Sequence, residues 1–402
     1  MPTPGSSRLQ TRDLIGPVLL FVGGFLLAAA IALPTVFVDG LRTIPLSTDV
    51  TTTAVSSGAG GSADDPPAQV FDRCSLATPT ARVVDAELVR QQRFVAVQPS
   101  DAERVTLQAG TSIQADHITV DGREVDPQAP RPGSDVEPAP GDSACTDPTI
   151  TAVRDRITLD RTSALPDLGP SGGAPGSSEI QYSATTAPIR VPDRAGYTYL
   201  LPFDVAATEH TWFDVTTRRS VPLRPAGDTT VHGRDVTRFV ADIPDTDLHQ
   251  ITGAAQTNPP TAITRPAAWF GVPGVDPARD LTATLHHTGR TEIAVDLATG
   301  TIVDQQITVE QTYRFIDPDL PDQRLTALSA TFGFDDATQE RMSERATSLA
   351  TPVTVWGRVV PIVAAVAGVA VIAIGLMFLT PGWRPRRRRR GPESDEDPAP
   401  SS

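Results

Sequence analysis

Two long apolar segments dominate the hydrophobic pattern of the 402-residue chain, one near each end. They cover 14–38 and 359–380, and neither contains an ionisable side chain. Each is longer than the roughly 20 residues that a helix needs to cross a hydrocarbon core about 30 Å thick. The pattern therefore predicts two transmembrane helices. A cleaved signal peptide is the alternative for the first segment, with Arg8 and Arg12 as its basic region.

Aromatic and basic residues flank the second segment. Trp356 and Trp383 lie just outside its two ends, where indole rings favour the lipid headgroup region. A block of consecutive arginines follows, consisting of Arg386, Arg387, Arg388, Arg389 and Arg390. Positively charged flanks are retained in the cytoplasm. We therefore predict a two-pass protein of the plasma membrane, with both termini cytoplasmic and the central region extracytoplasmic.

The central region alternates apolar and polar residues over many short stretches, as half-buried strands do. Residues 291–310 form the clearest predicted hairpin, with its turn at Ala298-Thr299-Gly300, and Asp121-Gly122 predicts another. Helical signal is confined to about 335–350, where Asp336 and Gln339 have capping-box spacing. The predicted fold class is a mainly β (α+β) exported domain flanked by two transmembrane α-helices.

These patterns divide the chain into consecutive regions. In order, they are a cytoplasmic tail (1–13), the first transmembrane helix (14–38), a flexible stalk (39–70), a β-rich extracytoplasmic domain with Pro- and Gly-rich insertions (71–350), a juxtamembrane segment (351–358), the second transmembrane helix (359–380) and an arginine-rich cytoplasmic tail (381–402). The stalk is predicted because residues 47–69 are rich in Ser, Thr, Gly, Ala and Pro.

Charge limits the partners that this protein can have. The chain has 48 acidic and 34 basic residues, for a formal net charge of −14. Most of the acidic excess lies between the apolar segments, which argues against nucleic acid as a partner. All basic residues are arginine, so the lysine of a Walker A loop is missing. Membrane lipids are the partner that the apolar segments require.

Cys74 and Cys145 are the two cysteines of the chain, and both fall in the region predicted to be exported. In an oxidising compartment two such residues most simply form one disulfide. It would close a loop of about 70 residues and stabilise the fold by roughly 4 kcal/mol through the loss of chain entropy. A metal site is the alternative, but the CxxC spacing typical of such sites is missing.

Several residues superficially suggest chemistry. Serines occur in the Gly-rich stretches 141–144 and 169–173, where a rigid oxyanion hole is not expected. His286 and His287 are adjacent on a predicted strand, so their side chains point to opposite faces and do not share a metal. The acidic stretch 317–322 lacks the EF-hand pattern and predicts a turn. We therefore predict no metal site and no cofactor.

Asp204 and Asp214 are surrounded by aromatic residues and are the remaining candidates for catalysis. The simpler interpretation is that each carboxylate caps a turn between strands. The sequence thus predicts a protein that is not an enzyme, and an envelope hydrolase or transferase is a hypothesis that depends on these two residues alone.

A set of short motifs follows in a fixed order along the chain. They are Leu33-Pro34, Ile44-Pro45-Leu46, Leu201-Pro202-Phe203-Asp204, Trp212-Phe213-Asp214, the strand from Gly233 through Phe239, and the hairpin residues Val295, Thr299, Gly300, Ile302 and Val303. The set resembles the actinobacterial membrane proteins of the porin PorA family, from about 14 to 380. The resemblance implies variable insertions at 125–145 and 165–178 and provides no catalytic residues.

Two functional interpretations follow. The first is a membrane-anchored accessory protein of the cell envelope, whose extracytoplasmic β-rich domain binds or presents an envelope lipid, a glycolipid or a partner protein. The alternative is an oligomeric, porin-like channel in which the terminal helices line a pore. Ala364 and Gly368, four residues apart on one helix face, favour close helix packing. The sequence does not determine the oligomeric state.

Overall fold

The computed structural model describes residues 14–57, 68–72, 75–76, 78–120, 123–125, 148–169, 177–183, 186–251, 253 and 259–379. Its contacts divide the chain into a helical unit (1–41 and 352–402) and a β unit (42–351). Several predicted site residues lie outside the described ranges: Cys74, Cys145, Trp383, and the arginines from 386 to 390. The disulfide and the membrane topology that depend on them stay predictions.

Helices form at both ends of the chain and at a few points between. The α-helices of the described residues are α1 (Ile15–Val36), α2 (Val38–Leu41), α3 (Ala267–Phe270), α4 (Asp336–Thr354) and α5 (Val360–Leu379). A π-helical turn at Val355–Val359 joins α4 to α5. By length and composition, α1 and the continuous helix that ends with α5 are apolar enough to cross a membrane. The two helices predicted from the sequence are confirmed to within two residues.

Glycines determine how α1 packs against α5. A Cβ atom added to Gly23 would lie 2.8 Å from the carbonyl oxygen of Gly368, and one added to Gly375 would lie 3.2 Å from the carbonyl oxygen of Gly16. The helices are therefore antiparallel, with their backbones in close contact at two places seven residues apart. Small residues at the interface are typical of helix pairs in membranes. Leu27 and Ile372 lie against these glycines, whereas many of the other large apolar side chains of both helices are exposed.

The β unit is built on one antiparallel sheet. Its strands are β1 (Asp49–Ser57), β2 (Ala68–Phe71), β3 (Val83–Val97), β4 (Arg104–Val120), β5 (Arg123–Val125), β6 (Thr149–Asp160), β7 (Ser178–Gln181), β8 (Ile189–Arg190), β9 (His210–Asp214), β10 (Arg219–Val231), β11 (Arg234–Asp247), β12 (Ala262–Pro266), β13 (Asp280–Asp296), β14 (Thr301–Phe315) and β15 (Arg324–Phe334). The order across the sheet is β8-β7-β6-β4-β3-β1-β15-β14-β13-β11-β10-β9, and β2, β5 and β12 pair beside this path.

The sheet curls until its two edges approach each other. Ile180 in β7 and Phe213 in β9 belong to one buried apolar cluster, although their strands lie at opposite ends of the sheet order. The hydroxyl of Tyr182, next to β7, donates a hydrogen bond of 2.9 Å to the carbonyl of Val215. The curled sheet therefore encloses its own interior.

Alternation along the strands separates the interior from the outer face. In β3, Val84, Ala86, Leu88 and Phe94 are buried and the residues between them are mostly exposed. Among the described residues of the β unit, the large apolar side chains that are more than a third exposed are Leu46, Val55, Val83, Leu165 and Ile316. The outer face is otherwise polar, which is the pattern of a domain surrounded by water.

Part of the predicted stalk is a strand in the middle of the sheet. β1 lies between β3 and β15, with Val50, Thr52 and Ala54 buried. The prediction of a flexible segment through residue 70 is wrong for β1 and for the start of β2, because buried and more exposed residues alternate along β1 as they do in a half-buried strand. Composition alone concealed this alternation.

Strand β3 is 15 residues long, and a bulge between Glu87 and Leu88 shifts its register against β4. One further local expectation needs correction. Helix α4 is capped by Asp335 and not by Asp336, since the Asp335 carboxylate accepts from the amide of Thr338 at 2.7 Å. The 291–310 hairpin is confirmed, with Asp296 paired to Thr301.

Candidate functional site

A cavity of about 180 Å³ lies inside the curled sheet. A cavity of roughly 150 Å³ is sufficient to hold benzene in another protein, so this one has room for a small organic group. Its apolar wall is formed by side chains from four strands: Ile113, Trp212, Phe213, Leu285 and Ile307.

The cavity wall also contains polar side chains that are hydrogen-bonded to each other in pairs. The Gln92 amide donates to the hydroxyl of Thr111 at 3.0 Å, and Gln311 contacts Nδ1 of His287 at 3.2 Å. Burial lowers the pKa of His287, although the nearby carboxylates of Asp214 and Asp245 act in the opposite direction. At neutral pH His287 is therefore uncharged.

Asp155 is the centre of a buried charge network in the wall. Both of its carboxylate oxygens accept from Arg194, at 2.6 and 2.8 Å, and one also accepts from the hydroxyl of Tyr199. Arg194 stacks over the Phe213 ring at 4.3 Å. Burial and the charge of Asp155 together raise the pKa of Tyr199 well above its usual value, so the hydroxyl stays protonated and donates. Asp155 is thus already paired with one guanidinium and one hydroxyl inside the network.

Asp214 is the second carboxylate of the wall, and it caps the turn after β9. One of its oxygens accepts from the Thr217 amide at 2.6 Å and from the Thr217 hydroxyl at 2.7 Å. The turn-capping interpretation of Asp214 is therefore confirmed. Asp204 has a different environment. It is an exposed residue with φ of +51° whose carboxylate pairs with Arg42 at 3.1 Å, and it does not line the cavity.

Arg90 is the one charged residue of β3 that points into the cavity. Its neighbours across the sheet are apolar, Ala54 on β1 and Ile113 on β4. Burial lowers the pKa of Arg90 to about 10, which leaves the guanidinium charged at neutral pH. Among the residues that the structure describes, it has no hydrogen bond and no ion pair.

Arg218 contributes a second cation on the opposite wall. It has φ of +54°, and its guanidinium lies 5.6 Å from the centre of the Tyr182 ring. Its Nε is buried and has no hydrogen-bond acceptor among the described residues. With Arg90, Arg218 gives the cavity lining two arginines, which equal in number the two carboxylates of Asp155 and Asp214.

The other chemistry candidates do not form a site. His287 faces the cavity and His286 contacts Asp245 at 3.3 Å, which confirms that the two rings occupy opposite faces. In the acidic stretch, Asp317 accepts from the Asp319 amide at 3.0 Å, as expected for a turn. The Gly-rich stretch 141–144 and most of 169–173 lie outside the described residues.

One group of residues that sequence reasoning did not connect has the spacing of a metal site. The ligand atoms of Glu87, Asp116 and His117 lie within 4.8 Å of one another on the surface of β3 and β4. Both carboxylates are exposed to solvent. Exposed acidic groups cluster in this way without metal, so the prediction of no metal site stands as a prediction.

Comparison with known proteins determines the family. A family model described as Porin PorA matches residues 15–377, which includes both apolar helices and the whole sheet. The chain belongs to the porin PorA family. A curated relative named Porin PorA, from Corynebacterium amycolatum, is 24% identical over 410 residues, covering 90% of this chain and 98% of the relative. The resemblance to this family predicted from short motifs is thereby confirmed.

Two of the motifs that resemble the PorA family contact each other. Gly300 of the hairpin motif has φ of +67°, and a Cβ atom at this position would lie 2.0 Å from the carbonyl oxygen of Leu201. The amide of Leu201 donates to the Gly300 carbonyl at 3.0 Å, and that of Val205 donates to the Leu297 carbonyl at 3.0 Å. The Leu-Pro-Phe-Asp segment therefore packs onto the β13–β14 turn, which requires glycine.

Sequence reasoning missed the cavity and the arginines in its wall. Arg90 was identifiable in principle, since it shares the even-numbered face of β3 with Leu88 and Phe94, and an arginine on a buried face is unusual. Arg194 and Asp155 lie 39 residues apart and only the curl of the sheet joins them. No local pattern contains that information.

Proposed function

We propose that this member of the PorA family is a porin-like membrane channel formed by several copies of the chain. The observation that carries the proposal is the family match over 15–377, together with a relative named Porin PorA that aligns over 98% of its own length. These comparisons favour the channel over the accessory protein that the sequence first suggested. The proposal assigns no catalytic residue.

The helical unit supports a pore made by more than one copy. Within one chain, α1 and α5 touch through Gly23 and Gly368, so no water-filled space fits between them. The described parts of both helices contain no ionisable side chain. A water path therefore requires several helix pairs around a common axis, because two helices alone do not enclose a lumen.

The orientation is part of the same proposal. The β unit would lie outside the cytoplasm, between two membrane spans whose outer ends are cytoplasmic. The polar outer face of the sheet supports a watery environment, and the arginines from 386 to 390 support a cytoplasmic C-terminus. Labelling of single introduced cysteines with a membrane-impermeant maleimide in intact cells tests it. Labelling at Ser402 and protection of the exposed position Arg238 would contradict the orientation.

Conductance tests the channel. Full-length protein purified in detergent is added to planar lipid bilayers, and the current is recorded at fixed voltage. Discrete steps that increase in frequency with protein concentration are expected. Their absence, from protein shown to be folded and inserted, would overturn the proposal.

An accessory protein that binds an envelope lipid or glycolipid is the second candidate, and the observation in its favour is the cavity of the β unit, which has room for one small apolar group of such a ligand. Its apolar wall and interior position suit an organic ligand. The two candidates give different results. A channel conducts without ligand, whereas an accessory protein is purified with a bound molecule and leaves the bilayer sealed.

A further inference from the structure

Arg90 combines three properties that rarely occur together. Its guanidinium lines the interior cavity, it stays charged at neutral pH, and no described residue pairs with it. Arg90 is half-buried, and its guanidinium faces the cavity without a partner, so an anion that enters the cavity gains a charge-assisted hydrogen-bonded pair there.

The protein itself does not supply the counter-charge from the carboxylates of the cavity wall. Asp155 is already occupied by Arg194 and Tyr199, and Asp214 by the backbone and hydroxyl of Thr217. The charge of an ionised Tyr199 would raise the pKa of Arg90, but burial keeps the Tyr199 hydroxyl protonated and therefore uncharged. Neither carboxylate pairs with Arg90 among the described residues, so its guanidinium is available to an anion from outside the chain.

We propose that this cavity binds a small organic carboxylate, with its apolar body against Trp212 and Leu285 and its carboxylate on the guanidinium of Arg90. The proposal rests on the second candidate function, because it uses the same cavity, and it is independent of the channel. It specifies the chemical class of the ligand: an anion with an apolar body of aromatic or short aliphatic type.

The shape of the site restricts the ligand further. About 180 Å³ accommodates one aromatic ring or a short acyl chain, but not a whole lipid. A guanidinium presents two parallel N–H donors that match a carboxylate. A neutral ligand of the same shape would leave Arg90 unpaired, so the site should discriminate between a carboxylate and its amide.

The test is equilibrium dialysis of radiolabelled benzoate against the full-length protein in phosphatidylcholine nanodiscs. Benzamide, which has the same shape without the charge, is the matched neutral probe. The variant Arg90→Gln removes the guanidinium. Arg93→Gln removes the same charge from the outer face of the same strand, where Arg93 is exposed and pairs with Asp49, and is the matched control.

We expect wild type and Arg93→Gln to bind benzoate at least about tenfold more tightly than benzamide, as for one charge-assisted hydrogen-bonded pair. Arg90→Gln should lose this preference and bind both probes alike. If wild type binds both probes equally, the carboxylate site is wrong although the cavity binds ligands. If wild type binds neither, the carboxylate site is wrong, whereas the second candidate function is tested separately by whether the protein is purified with a bound envelope molecule. The comparison of the two probes on wild type needs no variant to fold.

Discussion

Arg194 and Asp155 form a bidentate ion pair that joins the segment after β8 to β6. Both side chains are almost completely buried. The segment from Val191 also bonds to β9, since the Phe213 amide donates to the Tyr197 carbonyl at 2.8 Å. The pair therefore holds the two edges of the curled sheet together and forms one wall of the cavity.

Breaking this pair from one side should destabilise the β unit strongly. Asp155→Asn leaves the Arg194 charge buried with weaker partners, and such losses cost about 3 to 5 kcal/mol. We expect the free energy of unfolding, measured by urea titration of the full chain, to fall by that amount. Asp49→Asn, which breaks the exposed pair with Arg93, should have no measurable effect. Equal effects of the two substitutions would contradict a structural role for the buried pair.

The turn at Gly300 should tolerate no side chain. Its positive φ and the backbone of Leu201 both exclude a Cβ atom, so Gly300→Ala should cost roughly 3 kcal/mol of unfolding free energy. Gly333→Ala is the control, because a Cβ atom there meets open space and its φ is ordinary. A thermal shift assay on both variants measures the difference. Similar midpoints for Gly300→Ala and Gly333→Ala would show that the contact with Leu201 is not formed.

The sequence predicted the elements of this fold that depend on local pattern. Uninterrupted apolar character predicted α1 and α5, and the alternation around Gly300 predicted the β13–β14 hairpin. The amino-acid composition gave a wrong prediction where it disagreed with the alternation of buried and exposed positions. β1 was assigned to a stalk because of its many threonines, yet Thr52 is buried in the middle of the sheet.

The candidate site depended on information that the sequence does not contain locally. Asp204 and Asp214 were singled out for their aromatic neighbours. Asp204 forms an exposed ion pair with Arg42, and Asp214 caps the turn after β9. The cavity exists because the sheet curls and brings β6 against the segment after β8. That curl is a property of the whole set of strands, so Arg194 and Asp155 were not recognised as partners.

The helix pair should depend on Gly23. In Gly23→Leu the new side chain would collide with the Gly368 carbonyl and with Ile372, so the helices must separate or shift. Overpacking of this kind costs about 1 to 3 kcal/mol. Titration of the full chain from mild detergent into SDS measures the loss.

Gly24→Leu is the matched control, since a Cβ atom at Gly24 meets nothing within 4 Å. It should unfold at the same SDS fraction as wild type. If Gly23→Leu also behaves like wild type, α1 and α5 do not pack through these glycines.

Stability should fall in mildly acidic solution because of His287. Its pKa in the folded protein lies below the ordinary value of 6.5, since burial disfavours the charged ring. The unfolded chain then binds the proton more readily, so the contribution of His287 is complete above about pH 6.5 and is lost as the pH falls below it. Urea titrations at several pH values measure this slope.

The variant His287→Gln lacks the titrating group and can still bond Gln311. Its unfolding free energy should be less dependent on pH than that of wild type between about pH 6.5 and 5. Identical slopes for the two proteins would mean that the ring is not buried uncharged.

Single-channel recording of the full chain in planar bilayers tests the proposed function most directly. Wild type is expected to give discrete current steps, and Gly23→Leu should change their size or abolish them, because the helix pairs form the pore wall. Steps of unchanged size in Gly23→Leu would place the pore elsewhere. A folded and inserted wild-type protein that conducts no more than the lipid alone would contradict the channel.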